Sequence, residues 1–324
     1  FVGSYDKARA ESDSDYWGNT IAWEQGRNAE AMEKLNISAG GARDNYGVEV
    51  RSTGSYDDWS GETKGGARAV INAETLNINV DGGANSGASS GYGVSASTGL
   101  SGLYDSNDRY SRTQAEVTLK TNDLNVNVEN TVKAVGLSAD GRNSVVRIMG
   151  TEEQYVNYEP ENSWEPLDIT QDKSVNVVIT AKVTGPGALN GIAVEAINGG
   201  MVSINGSTVN DSIILNGDVV VGTNVQPDEY GHYPSTYESR LEILTDAGDD
   251  KLAINGDVNL NKGGYFQVET GEGNDRFEIN GNVNLAKGGY FDIETGEGND
   301  SFILNGNING HGHGSSYMRI DTGA

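Results

Sequence analysis

Four insertions that interrupt an otherwise regular sequence carry ten of its 19 Tyr and Trp residues; they lie near 51–68, 97–114, 149–166 and 222–239. Tyr and Trp provide rigid, amphipathic contact area at little entropic cost, which is why binding loops favour them. Carboxylates such as Asp57, Glu153 and Asp228 stand beside them, so the surface would suit sugars or a basic protein. Alternatively, the rings only pin long loops to the body of the protein. The predicted ligand-binding residues are Tyr56, Trp59, Tyr104, Tyr110, Tyr155, Tyr158, Trp164, Tyr230, Tyr233 and Tyr237.

Two Gly-rich segments carry an Asp at a spacing that could serve metal binding. Residues 271–277 read GEGNDRF and residues 296–302 read GEGNDSF. This pattern resembles the calcium-binding nonapeptide repeat of RTX proteins, and calcium prefers carboxylate and carbonyl oxygens. Thr270 and Thr295 replace the first Gly of that motif, and the copies are not consecutive nonapeptides. The alternative is Gly corners with a solvated Asp and Asn ladder, and no cofactor is required. The predicted calcium ligands are Asp250, Asp275 and Asp300.

A 25-residue repeat occupies the C-terminal part of the chain. Asp recurs at positions 250, 275 and 300, and Gly recurs at positions 256, 281 and 306. Within a copy, Leu252 and Ile254 alternate with Ala253, which is the periodicity of a β-strand. Three short strands fit in such a copy, but a unit of this size cannot bury its own apolar face. It must therefore stack on neighbours of the same kind.

Stacking of parallel strands at about 4.8 Å would align equivalent positions of the copies into columns. Five apolar columns are predicted, namely 213/252/277/302, 215/254/279/304, 219/258/283/308, 241/266/291/318 and 243/268/293/320. Tyr265, Tyr290 and Tyr317 should form an outward ladder that could bind a glycan; the alternative is that cross-strand packing alone explains it. A further column of Asn amides should hydrogen-bond along the stack, with the Gly that follows each Asn adopting a positive φ. Its members are Asn216, Asn255, Asn280 and Asn305.

The N-terminal half follows a looser version of the same pattern. LNIS at 35–38, LNINV at 76–80 and LNVNV at 124–128 read as one strand type. The predicted fold class is all-β, a single right-handed parallel β-helix of roughly eight or nine coils with protruding loops. Residues 34–324 form this domain, whereas residues 1–33 are expected to be an irregular cap or the end of a preceding module. The start at Phe1 suggests a piece of a longer protein.

The charge and the amino-acid composition exclude several classes of function. Among 324 residues, 22 Lys and Arg stand against 47 Asp and Glu, for a net charge of -25. A basic face for nucleic acid is therefore excluded. The chain has no Cys, which excludes disulfides, thiolate metal sites and cysteine nucleophiles. No apolar run approaches 18 residues, so we predict no membrane insertion by this chain.

These strand patterns resemble the passenger domains of bacterial autotransporter adhesins, which use the type V secretion route. The segments that carry the resemblance are LNINV, GYGVSAS and GIAVEAINGGMVSING. The resemblance implies export across the outer membrane and either display on the bacterial surface or secretion. It also implies a non-catalytic role in attachment to a host glycan or protein, or in self-association during aggregation and biofilm formation.

An enzyme is the alternative function, because many polysaccharide lyases and glycoside hydrolases are parallel β-helices. Such chemistry would use converging carboxylates in a groove lined by the loops. Asp and Glu are so abundant that pairs on adjacent coils arise by chance, and no local motif marks any pair. The chain has only three His residues, and it contains no phosphate-binding loop or nucleophile elbow. We therefore predict a protein that is not an enzyme.

Overall fold

The computed structural model describes residues 8–13, 31–40, 44–52, 55–57, 62–82, 90–98, 111–151, 172–184, 190–223, 238–310 and 316–323. Within these ranges the chain forms strands and no helix. The strands are β1 (Ala8–Asp13), β2 (Met32–Gly40), β3 (Asp44–Arg51), β4 (Ser55–Asp57), β5 (Glu62–Asp81), β6 (Ser90–Ser97), β7 (Ser111–Lys120), β8 (Asp123–Asn130), β9 (Lys133–Asp140), β10 (Ser144–Met149), β11 (Asn176–Val183), β12 (Ile192–Ile197), β13 (Met201–Ser207), β14 (Ser212–Asn216), β15 (Asp218–Val221), β16 (Ser239–Asp246), β17 (Lys251–Asn255), β18 (Val258–Leu260), β19 (Gly264–Glu269), β20 (Arg276–Ile279), β21 (Val283–Leu285), β22 (Tyr290–Glu294), β23 (Ser301–Leu304), β24 (Ile308–Gly310) and β25 (Tyr317–Asp321).

Parallel pairing arranges these strands into three sheets, which we call A, B and C. Sheet B contains β2, the second half of β5, β8, β11, β14, β17, β20 and β23. Sheet C contains β3, β6, β9, β12, β15, β18, β21 and β24. Sheet A contains the first half of β5, β7, β10, β13, β16, β19, β22 and β25.

Successive stretches of the chain visit the sheets in the order B, C and A. We call one such set of three strands a coil, and eight coils follow one another within the described residues. Each strand hydrogen-bonds to its equivalent in the next coil, as Leu252 of β17 does opposite Phe277 of β20. The arrangement is consistent with a parallel β-helix or solenoid, and the predicted all-β class is confirmed.

The five apolar columns predicted from the repeat are present in the structure. Phe277 lies between Leu252 and Phe302, and the other four columns keep their predicted register. Their members are buried in the inner coils, where Phe266, Phe277 and Phe291 are fully inaccessible to solvent. One core therefore runs through all the coils, because alternate residues of each strand point inward.

The Asn–Gly column is confirmed for the amides, but the expected role of its glycines was wrong. Nδ2 of Asn255 donates to Oδ1 of Asn216 at 2.7 Å, and the same bond repeats down the column. Among the four following glycines, only Gly217 has a positive φ. Gly281 is needed for another reason, since a Cβ added to it would lie 2.2 Å from the carbonyl oxygen of Gly256. Close stacking of backbones, not left-handed geometry, requires glycine there.

Two segments expected to be irregular also contribute strands. β1 pairs antiparallel with residues 66–71 of β5, so part of the predicted N-terminal cap extends sheet A. β4 pairs antiparallel with residues 62–64 of the same strand, inside the first predicted insertion. Strand β5 then bends once, and it belongs to sheet A over residues 63–72 and to sheet B over residues 73–81.

Candidate functional site

The aromatic residues predicted to bind ligand fall almost entirely outside the described residues. Tyr56 belongs to β4, where its backbone is opposite Thr63. The other nine lie outside the described residues and stay predictions, namely Trp59, Tyr104, Tyr110, Tyr155, Tyr158, Trp164, Tyr230, Tyr233 and Tyr237.

The predicted calcium ligands form a ladder of carboxylates at the turn that leads from sheet A to sheet B. Oδ1 of Asp250 accepts the backbone N–H of Asp211 at 2.7 Å, and Oδ1 of Asp275 accepts that of Asp250 at 2.8 Å. Oδ1 of Asp300 accepts the N–H of Asp275 at 2.9 Å. Each carboxylate therefore caps the backbone of the preceding coil. Gly271 and Gly273 turn the chain with positive φ.

Thr hydroxyl groups hold the second oxygen of two of these carboxylates. The Thr270 hydroxyl donates to Oδ2 of Asp275, and the Thr295 hydroxyl donates to Oδ2 of Asp300 at 2.9 Å. Thr thus replaces the first Gly of the RTX pattern with a hydrogen-bond donor. Among the described residues, no group of three or more His, Cys, Asp or Glu side chains is placed to hold a metal ion. Calcium binding by Asp250, Asp275 and Asp300 stays a prediction.

Burial makes the inner members of this ladder hard to ionise. Asp250 is 2% exposed and Asp275 is 1% exposed. Burial and the nearby negative charges of Asp211 and Asp275 raise the pKa of Asp250 to about 7, against the hydrogen bonds that it accepts. Burial also raises the pKa of Asp211 and of Asp275. Asp250 therefore keeps its proton at mildly acidic pH, where an ordinary Asp has lost it.

A second constellation covers the outer face of sheet A in the last four coils, and we call it the sheet A strip. It comprises the polar and aromatic side chains that point away from the core on β16, β19, β22 and β25, with Glu238 just before them, and Leu244 lies on the same face opposite Glu269. Its members are Glu238, Arg240, Glu242, Tyr265, Gln267, Glu269, Tyr290, Asp292, Glu294, Tyr317, Arg319 and Asp321. It combines aromatic rings, carboxylates and two guanidinium groups along four adjacent strands.

The three Tyr rings of the strip stack face to face along the coils. The ring centroids of Tyr265 and Tyr290 are 4.4 Å apart, as are those of Tyr290 and Tyr317. The guanidinium carbon of Arg240 lies 4.0 Å from the Tyr265 centroid and covers its other face. The faces of Tyr265 and Tyr290 are thus occupied within the protein. Their ring edges and hydroxyl groups are the parts that a ligand could contact.

Ion pairs cross the strip but leave it negatively charged. Arg240 pairs with Glu238 and Glu242. Nη1 of Arg319 lies 2.8 Å from Glu294, and its Nη2 lies 2.9 Å from Asp321. The strip holds six carboxylates and two guanidinium groups, an excess of four negative charges. It therefore attracts cations.

Two carboxylates of the strip are incompletely matched by positive charge. Within the described part of the chain, Glu269 pairs with the amide of Gln267 and with no cation. Burial, followed by the negative charges of Glu294 and Glu242, raises the pKa of Glu269. Asp292 is 9% exposed, and its Oδ1 accepts no hydrogen bond, with Nη1 of Arg319 at 3.7 Å. Its Oδ2 accepts the Tyr290 hydroxyl at 3.3 Å.

A smaller charged cluster lies on the outer face of sheet C. Tyr46 stacks on Tyr92 with centroids 5.0 Å apart, and Nζ of Lys133 lies 5.2 Å from the Tyr92 ring. The same Nζ donates to both carboxylate oxygens of Glu195, at 3.0 and 3.1 Å. Burial alone would lower the pKa of Lys133, but the charges of Glu195 and Tyr92 and the hydrogen bonds to both together raise it. The pair is electrically balanced, so this cluster attracts charged ligands less than the sheet A strip does.

No family model, curated protein or solved structure matches this chain. The function therefore has to be argued from the geometry of the chain itself. Among the described residues, no helix is long and apolar enough to cross a membrane.

The sequence pointed to the Tyr ladder of the strip but not to the charges around it. Residues 240, 265 and 290 recur at the 25-residue interval, and so do residues 242, 267 and 292. This interval could have identified the neighbouring rows. Arg319 could have been placed in the same way, because the two extra residues of the last copy shift it by the same amount as Tyr317 and Met318.

Proposed function

We propose that this chain is a non-catalytic adhesin fragment of a bacterial autotransporter, exported by the type V route to the cell surface or secreted. In this proposal the coils wind as a single right-handed parallel β-helix, which matches the strong chiral preference of parallel crossovers. The protein attaches to a host glycan or host protein, or to the same protein on another cell.

The observation that supports this proposal best is the continuous outer face of sheet A. Equivalent side chains of β16, β19, β22 and β25 repeat at one strand spacing, about 4.8 Å. Three successive strands carry Tyr at the same position, so the face offers the same aromatic contact several times along its length. Many weak contacts on one rigid surface add up to firm attachment, as multivalent binding requires.

Attachment by the purified chain tests the proposal. Beads coated with the chain should adhere to host cells or clump with one another. Tyr290→Ala should reduce this adhesion or clumping several-fold, because it removes the central ring of the ladder. Tyr46→Ala is the matched control, since it removes a stacked ring from sheet C and leaves the strip intact. The aromatic residues predicted in the insertions can be substituted in the same assay.

Two results would contradict the proposal. One is that the beads neither adhere nor clump, or that Tyr46→Ala reduces their adhesion or clumping as much as Tyr290→Ala does. The other is sustained release of reducing ends or unsaturated products from neutral or acidic polysaccharides, abolished by a single carboxylate substitution. That second result would favour the β-helix lyase or hydrolase instead.

A further inference from the structure

We propose that two copies of this chain dimerise through the outer face of sheet B, with the coils of the two copies stacked in opposite directions and Arg276 of each copy opposite Asp123 of the other. Such a dimer goes beyond the proposed adhesive function and does not depend on it. It leaves the sheet A strip of both copies uncovered, so the pair would present two strips.

The outer face of sheet B is accessible along all eight coils. Each strand carries three outward side chains in register with those of the next coil, in rows that begin at Lys34, Asn36 and Ser38. We call these three rows the sheet B face, and every side chain in them is exposed or partly exposed. On the other two sheets, outward side chains of the middle coils are buried, as Glu116 of sheet A and Glu195 of sheet C illustrate. Sheet B therefore offers a continuous docking surface.

The sheet B face is nearly neutral although the chain is strongly acidic. Three side chains on each of eight strands make 24, of which Lys34, Lys251 and Arg276 are cations and Asp123 and Glu278 are carboxylates, for a net charge of +1. The whole chain carries -25, and the sheet A strip has an excess of four negative charges. Two copies therefore meet with far less repulsion through their sheet B faces than through their strips.

An apolar cluster occupies the middle of the sheet B face. In the fourth, fifth and sixth coils its central row holds Val178, Ile214 and Ala253, whereas the first three coils hold Asn in that row. Polar side chains such as Thr180 and Asn216 flank the cluster. An apolar centre with a polar rim is the usual anatomy of a protein–protein interface.

The position of this cluster sets the register of the dimer. A two-fold axis along the strand direction and over Ile214 brings each row against the same row of the second copy. Ile214 then faces its own equivalent, and Val178 faces Ala253. Arg276, two coils after Ile214, faces Asp123, two coils before it, and this pairing occurs twice. Facing opposite charges favour this arrangement.

Both charged side chains can accept a further partner. Arg276 and Asp123 are exposed. Within one copy, Nη2 of Arg276 lies 2.8 Å from Glu278, and Asp123 accepts the amide of Asn176 at 3.0 Å. A guanidinium group has several further N–H donors and a carboxylate several further acceptor sites, so each can also contact the second copy.

The other two-fold arrangement matches charges less well. An axis along the stack of coils would place each strand against its own equivalent and exchange the two outer rows. Asp123 would then face Asn127, Arg276 would face Asn280, and Glu278 would face a second Glu278. The last contact is repulsive, so we favour the dimer with oppositely directed coils.

The size of the sheet B face predicts a reversible dimer. The proposed axis overlaps seven strands at about 4.8 Å, and about five residues per strand at about 3.3 Å give roughly 550 Å² per copy. The total of roughly 1,100 Å² just exceeds the roughly 1,000 Å² that a specific interface needs and is typical of weak, transient association.

Sedimentation equilibrium of the full chain at several concentrations tests for the dimer, in buffer of moderate salt that screens the net charge. We expect a mass that rises with concentration from 34.3 kDa toward twice that value. The expected Kd is about 10–100 μM.

The decisive variant is Ile214→Asn, which should weaken dimerisation about tenfold or more because it removes the apolar centre. Asn77 and Asn125 occupy the same row, which indicates that Asn fits there. The matched control is Val220→Asn, an outward aliphatic residue of sheet C in the same coil whose row continues with Asn259. The control should leave Kd unchanged, and unchanged thermal unfolding of both variants verifies folding.

An exchange of charges tests the register independently. Arg276→Asp should weaken dimerisation about fivefold, because it sets two carboxylates against each other at both ends of the interface. Addition of Asp123→Arg to the same chain should restore the original Kd, since the opposite charges then only change places.

Three results would overturn the dimer: a mass of 34.3 kDa at every concentration, equal weakening by Ile214→Asn and Val220→Asn, or no recovery in the charge-exchanged variant. The bead assay with Tyr290→Ala is read separately. Failure of dimerisation therefore leaves the proposed function standing, and failure of bead attachment leaves the dimer standing.

Discussion

Individual carboxylates in this protein serve as backbone caps rather than as solvated charges. Asp211 illustrates the pattern, since its Oδ1 accepts the N–H of Val175 and its Oδ2 accepts the N–H of Ser207, both at 2.7 Å. Asp250 and Asp275 repeat this capping in later coils, as described above for the turn between sheets A and B. The ladder ties the N–H groups of each turn to the next coil, so those polar groups are satisfied without water.

Burial of these carboxylates predicts an unusual dependence of stability on pH. The pKa of Asp250 is about 7 in the folded chain, above its ordinary 3.8. The stability contributed by its proton is complete below pH 3.8 and is lost as the pH rises through about 7. The free energy of unfolding should decline between mildly acidic and mildly alkaline buffer, and Asp250→Asn should remove on the order of 3 kcal/mol of this decline. Urea unfolding at several pH values measures it, with a smaller decline remaining from Asp211 and Asp275.

Asp249→Asn is the control for this prediction. Asp249 is exposed, and the backbone N–H and side-chain amide of Asn274 lower its pKa. Its contribution is present above its ordinary pKa and is lost as the pH falls, which is the opposite sign. Asp249→Asn should therefore not flatten the decline. A decline that stays unchanged in Asp250→Asn would contradict the prediction.

At the scale of the strand, the spacing between coils is maintained jointly by amide ladders and glycine contacts. Nδ2 of Asn280 donates to Asn255, and Nδ2 of Asn284 donates to Asn259, each at 2.8 Å. Beside the first of these ladders, Gly281 allows two backbones to approach more closely than a Cβ permits. Polar ladders outside and apolar columns inside thus specify the same register.

Gly281→Ala tests this account of the corner. Its Cβ would meet the carbonyl oxygen of Gly256 at 2.2 Å, so the coils must separate locally. We expect the free energy of unfolding to fall by about 2–4 kcal/mol in denaturant titrations. Gly310→Ala is the matched control, because a Cβ there meets no atom within 4 Å. It should change stability by less than about 0.5 kcal/mol. Equal effects of the two substitutions would contradict the account.

At the scale of the whole molecule, negative charge dominates the surface. The net charge of -25 opposes compaction through self-repulsion, and it keeps identical rods apart at low salt. Salt should therefore stabilise the fold, because it screens the repulsion between charges. At 0.1 M this repulsion falls off over a Debye length of about 10 Å. The same repulsion means that self-association, if it is the adhesive mode, must strengthen as salt rises.

A comparison of calcium with magnesium distinguishes general screening of the negative charge from binding at a specific calcium site. Since backbone and Thr donors already hold Asp275 and Asp300, we expect calcium and magnesium to raise the unfolding temperature equally at equal ionic strength. Thermal unfolding in EDTA, calcium and magnesium measures this. A larger rise with calcium, lost in Asp275→Asn, would instead support the predicted ligands Asp250, Asp275 and Asp300.

The sequence by itself determined the strand content, the stacking and the inner columns. An interval of 25 residues between Asp250, Asp275 and Asp300 leaves one register, because a slip of one residue would turn every apolar side chain outward. For this reason Phe277 could be placed between Leu252 and Phe302 before any coordinate was known.

Apart from the predicted ladder of Asn amides, only the tertiary structure decided what the polar residues do. The sequence could not show that a Cβ at Gly281 would lie 2.2 Å from the carbonyl oxygen of Gly256, because that distance depends on how closely the two backbones stack. Nor could it show that Asp275 caps the backbone of the preceding coil, or that Arg319 forms ion pairs with Glu294 and Asp321. Apolar burial follows from periodicity alone, whereas hydrogen bonds and ion pairs depend on directions and distances of a few ångströms, which arise only when the coils are stacked.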